Sequence, residues 1–265
     1  MADLRIFSYL PNPRIWKATI AARLCGVEVE VRGARPAELK DWLWDFDARP
    51  LSEADRSRTT PRAGRVGFKG GALRKTDAFL AAHPFATVPA AFSPDGATGI
   101  FESNSIMRAV ARLGGRRCRL YGRNPYDASR IDSFLDASLV FARDSQLYLL
   151  GLRDPDFAAD IHARAREAFA IYAAGIDQAL QPDRQFLVGD SLSLADICFT
   201  AELCLFLNER HHRATLAKRG LAPILHEQWR ETFPRASAHF NRLIDHPALA
   251  PDVQPYLQKL YARAA

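Results

Sequence analysis

Cysteine and methionine are scarce, at four and two among 265 residues. Cys25, Cys118, Cys198 and Cys204 form no CxxC pair and no spacing that suits a metal, so no metal site is expected. Reduced thiols in the cytoplasm are the expectation for such cysteine usage. No signal peptide is visible, since Met1-Ala2-Asp3 opens directly onto a strand-like run. No apolar run is long enough for a membrane span: even the stretch from Leu192 to Leu207 carries Asp196 and Glu202. Internal repeats and low-complexity tracts are missing too, which excludes a solenoid or a biased tail.

What the chain has is enough length to bury a full core and to split into two domains. Hydrophobic residues at 48% and charged residues at 25% describe an ordinary globular composition. The net charge of +6 sits in one place. Between Arg49 and Lys75, eight basic residues stand against Glu53 and Asp55, so the remainder of the chain sums to zero. A nucleic-acid binder would spread such charge over folded elements interleaved with aromatics. Here the segment is rich in Gly, Pro, Ser and Thr, so a long surface loop is expected and a nucleic-acid partner is not.

The first 113 residues alternate strand and helix signals. Leu4 to Phe7 is β-like, and Arg14 to Leu24 is helix-like, with Ile15, Ala18, Thr19 and Ala22 on one face and Gly26 as a stop. Val27 to Val31 alternates apolar and acidic residues, completing a βαβ start with a parallel pair. Pro36 to Phe46 is expected to be helical, as is Thr76 to Ala82. Asp95-Gly96 marks a hairpin between strands at Ala90–Ser93 and Gly99–Phe101, and Ser103 to Leu113 is a further helix. After a linker ending at Asn124-Pro125 the pattern is helical throughout. Phe157, Ile161, Ala165, Phe169, Tyr172, Ile176 and Leu180 form an amphipathic stripe.

Three segments carry the chemistry: Ser8-Tyr9-Leu10-Pro11-Asn12-Pro13-Arg14, Thr87-Val88-Pro89-Ala90, and Phe101-Glu102-Ser103-Asn104-Ser105-Ile106. In that order they resemble the glutathione-binding half of a glutathione S-transferase. The resemblance implies an α/β N-terminal thioredoxin-like domain (1–113, with a basic insertion at about 48–75) and an all-α C-terminal helical domain (124–265). It implies glutathione as co-substrate, with a cis Pro89. The main chain of Val88 would pair with the cysteinyl backbone like a short extra strand. Thr87 stands where many relatives carry Gln or Lys. Glu102 would hold the γ-glutamyl ammonium, while Ser103 and Asn104 open a helix whose N–H groups accept the γ-glutamyl carboxylate.

Glutathione chemistry needs a thiolate at neutral pH, and a free thiol titrates near ~8.5. A shift of about two units corresponds to roughly 2.7 kcal/mol, which one hydrogen bond to the anion, at about 1.5–3 kcal/mol, can supply. The donors in place are Asn12, Ser8 and Tyr9. Pro11-Asn12 resembles the turn of asparagine-type, Nu-like transferases and of bacterial β-etherases that cleave lignin-type aryl ethers. The same asparagine is also a natural helix cap. The family's second-substrate pocket would draw on Tyr9, Leu10, Phe141, Ser145 and Tyr148, which imply only a small hydrophobic substrate.

Ser193-Leu194-Ala195-Asp196 reads as a capping box before an apolar run, and Leu187-Val188-Gly189-Asp190 before it also matches the family. The N-terminal run and Phe101-Glu102-Ser103-Asn104 are similar as well to the transferase-like domain of the gamma subunit of the elongation factor exchange complex. Two functions follow from the resemblance: an enzyme that activates glutathione, or a non-catalytic scaffold. A homodimer is the family expectation, with a heterodimer as the alternative.

Overall fold

The structure, a computed structural model, describes residues 2–64, 68, 71–154, 157–226 and 228–262. The chain divides into two units, Met1–Cys118 and Arg119–Ala265.

In the first unit, β1 (Leu4–Tyr9), α1 (Pro13–Cys25) and β2 (Val29–Ala34) form the expected parallel βαβ start. Asn12 caps α1 by accepting from Arg14 N–H, Pro13 fills the first helical position, and Gly26 ends the helix at φ 65. A 3-10 turn (Pro36–Asp41) follows, then β3 (Trp42–Trp44), β4 (Arg49–Pro50), α2 (Glu53–Arg58), β5 (Pro61–Ala63), β6 (Ala72–Lys75) and α3 (Asp77–Ala82). The unit closes with β7 (Ala90–Phe92), β8 (Gly99–Phe101) and α4 (Ser103–Leu113). The main sheet runs β2-β1-β7-β8, with β7 antiparallel to both neighbours. This is the thioredoxin-like arrangement.

Three expectations are corrected here. Pro36 to Phe46 is not one helix: Pro36–Asp41 is a 3-10 helix, but Trp42–Trp44 is a strand, with Trp44 turned into the core and its indole donating to Leu39 C=O. The basic segment is not a loop: its described residues supply β4, β5 and β6, which join the preceding β3 in a second sheet, β4-β3-β6-β5, around the buried Leu43, Trp44 and Leu73. That sheet shares one core with the first, in which Phe7, Trp44, Leu73, Phe79 and Phe92 pack together. Its arginines are engaged locally: Arg49 with Asp55, Arg56 with Asp41 and Arg62 with Asp77, while Arg74 donates to the C=O groups of Arg56 and Thr59. Arg65 and Lys69 lie outside the described residues. Finally, Cys25 and Cys118 are not free thiols. They form a disulfide that ties the end of α1 to the chain just past α4, while Cys198 and Cys204 are buried thiols outside any disulfide, Cys198 donating to Ser138 Oγ.

The second unit contains α5 (Pro125–Gly151), α6 (Ala159–Ala179), α7 (Leu194–Phe206), α8 (Arg213–Lys218), α9 (Trp229–Thr232), α10 (Pro234–Ile244) and α11 (Ala250–Ala262). Helix α7 is buried almost all round, as its apolar sequence requires. Asp196 anchors its start, accepting from Ser193 N–H and hydroxyl, from Leu187 N–H and from His239 Nε2. Arg242 donates to His239 Nδ1, which places the ring proton on Nε2, facing Asp196. Among the described residues, no helix is long and apolar enough to cross a membrane.

Candidate functional site

One rung of the main sheet organises the site. Phe7 pairs with Ala90, and Ala90 pairs with Phe101. One step beyond that rung, on the same side, stand Ser8 on β1, Pro89 before β7 and Glu102 after β8. The three segments singled out in the sequence therefore emerge side by side from one edge of the sheet.

At the first segment Ser8 and Asn12 are buried, and the Asn12 amide donates to Ser8 Oγ at 3.1 Å. The Asn12 carbonyl oxygen accepts from Arg14 N–H at 3.0 Å, so its capping role is real. The serine oxygen is thus an acceptor for Asn12, which leaves the serine proton and the second amide proton of Asn12 as donors. Tyr9 and Leu10 are only partly buried; Tyr9 packs against the core of the unit.

At the second segment the Val88–Pro89 peptide is cis, as expected. Among the described residues the main-chain N–H and C=O of Val88 have no hydrogen-bond partner. The preceding Thr87 is held by His83, whose Nε2 lies 2.9 Å from the Thr87 carbonyl oxygen. Lys75, buried over the Trp44 ring, donates to Ala86 C=O at 2.8 Å.

At the third segment Glu102 is exposed and adopts φ 67, a conformation that non-glycine residues rarely accept. It precedes the α4 N-terminus, where Ser103 and Asn104 are buried. Lys17 on α1 reaches them across 86 residues of sequence. Its ammonium donates to Asn104 Oδ1 at 2.8 Å and to Ser103 Oγ at 3.3 Å, and the side chain is fully buried. This places a cation behind the positive end of the α4 dipole.

The sequence reading missed Lys17 and His83. A lysine between Trp16 and Ala18, within the mostly apolar run from Ile15 to Ala22, was a usable signal for the first; nothing local marks the second. Phe141, Ser145 and Tyr148 lie on α5 in the interior of the helical unit. Phe141 packs on Phe169, Tyr172 and Phe206, Ser145 donates to Ala142 C=O, and Tyr148 donates to Glu209. Among the described residues no group of three or more His, Cys, Asp or Glu is placed to hold a metal ion.

Residues 147–247 match the family model described as glutathione S-transferase, C-terminal domain. Together with the sheet order and the cis-proline segment, that match decides the architecture. The fold is that of the glutathione transferases. Among solved structures with this transferase fold is the glutathione transferase URE2P6 from Phanerochaete chrysosporium in complex with oxidized glutathione. It has a TM-score of 0.63 and 15% identity, covering 97% of each chain. Probable elongation factor 1-gamma 1 from Arabidopsis thaliana is 28% identical over 92% of this chain and 47% of its own length. The chain thus spans about half the length, or less, of the elongation-factor relatives it matches. A glutathione S-transferase-like protein, LUC7, from a Fusarium species is 28% identical over 75% of each chain.

Proposed function

We propose that this chain binds glutathione at the edge of the main sheet and activates its thiol for attack on a small hydrophobic electrophile. The observation that carries the proposal is the shared rung, Phe7–Ala90–Phe101, which presents three different kinds of contact to one extended tripeptide. The cysteinyl backbone pairs with the unpartnered main chain of Val88. The γ-glutamyl carboxylate sits on the N–H groups that open α4, with Lys17 behind them, and its ammonium pairs with Glu102. The thiol then points toward the end of β1, where Asn12 and Ser8 are the donors. The thiolate forms the new S–C bond as the leaving group departs with the electron pair of the bond it breaks. Aryl-ether cleavage is the narrower form of this reaction suggested by the Pro11-Asn12 turn.

The test is calorimetry with glutathione followed by turnover of chloro-dinitrobenzene and of a β-aryl ether with a coloured phenol leaving group. Micromolar-to-millimolar binding with turnover of either substrate supports the enzyme reading; no binding defeats it. Binding without turnover supports the second reading, a transferase-like scaffold, which the 28% identity to an elongation factor 1-gamma over most of this chain favours. We further propose a homodimer, supported by exposed apolar side chains on α4 and α5: Leu113, Leu139, Val140 and Leu147. A sedimentation mass of one chain at micromolar concentration would defeat it, and a mass matched only with a different co-purifying chain would favour a heterodimer.

A further inference from the structure

His83 follows α3, and none of its surface reaches solvent. Its Nε2 is shared by one residue of the cis-proline segment, 2.9 Å from the carbonyl oxygen of Thr87, 3.2 Å from its amide nitrogen and 3.4 Å from its hydroxyl. Its ring lies flat on Phe101, centroids 4.9 Å apart and planes 1° from parallel, and Phe79 packs on it at a tilt. Phe101 is the residue before Glu102. His83 therefore touches, through opposite features of one imidazole, two of the three segments of the site. The third feature is a deficit: Nδ1 is buried and has no partner among the described residues.

These contacts suit an uncharged ring. Nε2 serves either the carbonyl or the N–H of Thr87, not both: with its proton on Nε2 the imidazole donates to the Thr87 carbonyl and leaves Nδ1 a bare acceptor, whereas with the proton on Nδ1 it accepts from the Thr87 N–H and leaves a buried donor at Nδ1. A second proton would put a buried N–H at Nδ1 with nothing to receive it, and would add a cation beside Lys75, the charged group that acts on this ring. We infer that His83, in its neutral form, is a positioning residue of the proposed glutathione site: it sets the main chain of Thr87-Val88 and keeps it in register with the Phe101-Glu102 turn. The inference rests on the glutathione reading above.

Burial, reinforced by Lys75 and opposed by the Thr87 carbonyl, lowers the pKa of this histidine below its ordinary value. The positioned geometry is therefore complete above about pH 6.5 and is lost only as pH falls through the lower native value.

The experiment uses S-methylglutathione, which has no thiol to titrate, and measures its affinity by calorimetry from pH 5 to 8. The proteins are the parent, His83→Phe and His83→Gln. Phenylalanine keeps a flat ring on Phe101 without the nitrogen; glutamine restores a donor near the Nε2 position that cannot be protonated. Unfolding midpoints and amide exchange of the ligand-free proteins are measured alongside. The expected result is about tenfold weaker binding for His83→Phe at pH 7.5, with faster exchange confined to peptides covering Thr87–Ala90 and Phe101–Asn104. His83→Gln recovers most of the affinity and loses the acid limb of the parent. Parental affinity and exchange in His83→Phe, or an unchanged acid limb in His83→Gln, overturns the inference. A parent that binds neither S-methylglutathione nor glutathione overturns the glutathione reading instead, while the exchange data still show whether His83 orders the two segments.

Discussion

The side-chain amide of Asn12 donates to the hydroxyl oxygen of Ser8 at 3.1 Å, joining the cap of α1 to the end of β1 in one buried pair. Because the pair is shared, turnover of the single variants alone should not separate the two residues as thiol donors. Asn12→Ala removes both the cap and one donor. It should cost about 0.5–2 kcal/mol of stability and about tenfold to a hundredfold in turnover. Ser8→Ala should leave the cap intact and affect only the thiol. Ultraviolet titration of the thiolate in each glutathione complex separates the roles: the variant whose curve stays at the parental position does not carry the activating donor.

Glu102 is exposed at the mouth of α4 on a backbone that few residues accept. If it pairs with the γ-glutamyl ammonium, Glu102→Gln should weaken glutathione about tenfold or more while leaving a desamino analogue unaffected. Equal losses for both ligands would assign Glu102 to the fold of the turn.

The arginines of the second sheet are mostly paired with carboxylates of their own unit. Their field on an anionic ligand is correspondingly reduced, and exposed pairs of this kind contribute about 0–1 kcal/mol each. Replacing Arg56 and Arg62 by Ser should change glutathione affinity less than about twofold, at low or high salt. A larger loss confined to low salt would show that the segment steers the ligand.

In the helical unit, the buried Glu209 accepts from Tyr148 and from the N–H groups of Ile224 and Leu225. Burial and the neighbouring carboxylate push the Tyr148 phenol far above its ordinary range, so it remains a donor at every accessible pH. Tyr148→Phe should cost about 1–3 kcal/mol in denaturant unfolding, the cost of removing one partner of a buried hydrogen bond. Glu209→Ala should cost more, because it orphans three donors at once.

Elements whose defining bonds close within a few residues were legible in the sequence alone. Asn12 and Arg14, Gly26 and Ala22, the Asp95-Gly96 hairpin, both ends of α4 and the Ser193–Asp196 box are all of this kind. The motifs of the three site segments were legible for the same reason, although their convergence was not. That convergence depends on strand register, which brings Phe7, Ala90 and Phe101 into one rung across most of the unit. The second sheet escaped notice because its strands are two to four residues long, too short to show a period, and because β3 pairs in parallel with β6 across the intervening segment. Lys17 beside Ser103, His83 against Phe101 and Cys25 bonded to Cys118 are likewise tertiary outcomes. A charged or titratable side chain can be buried only where distant chain supplies its partners, and no local pattern records which distant chain that will be.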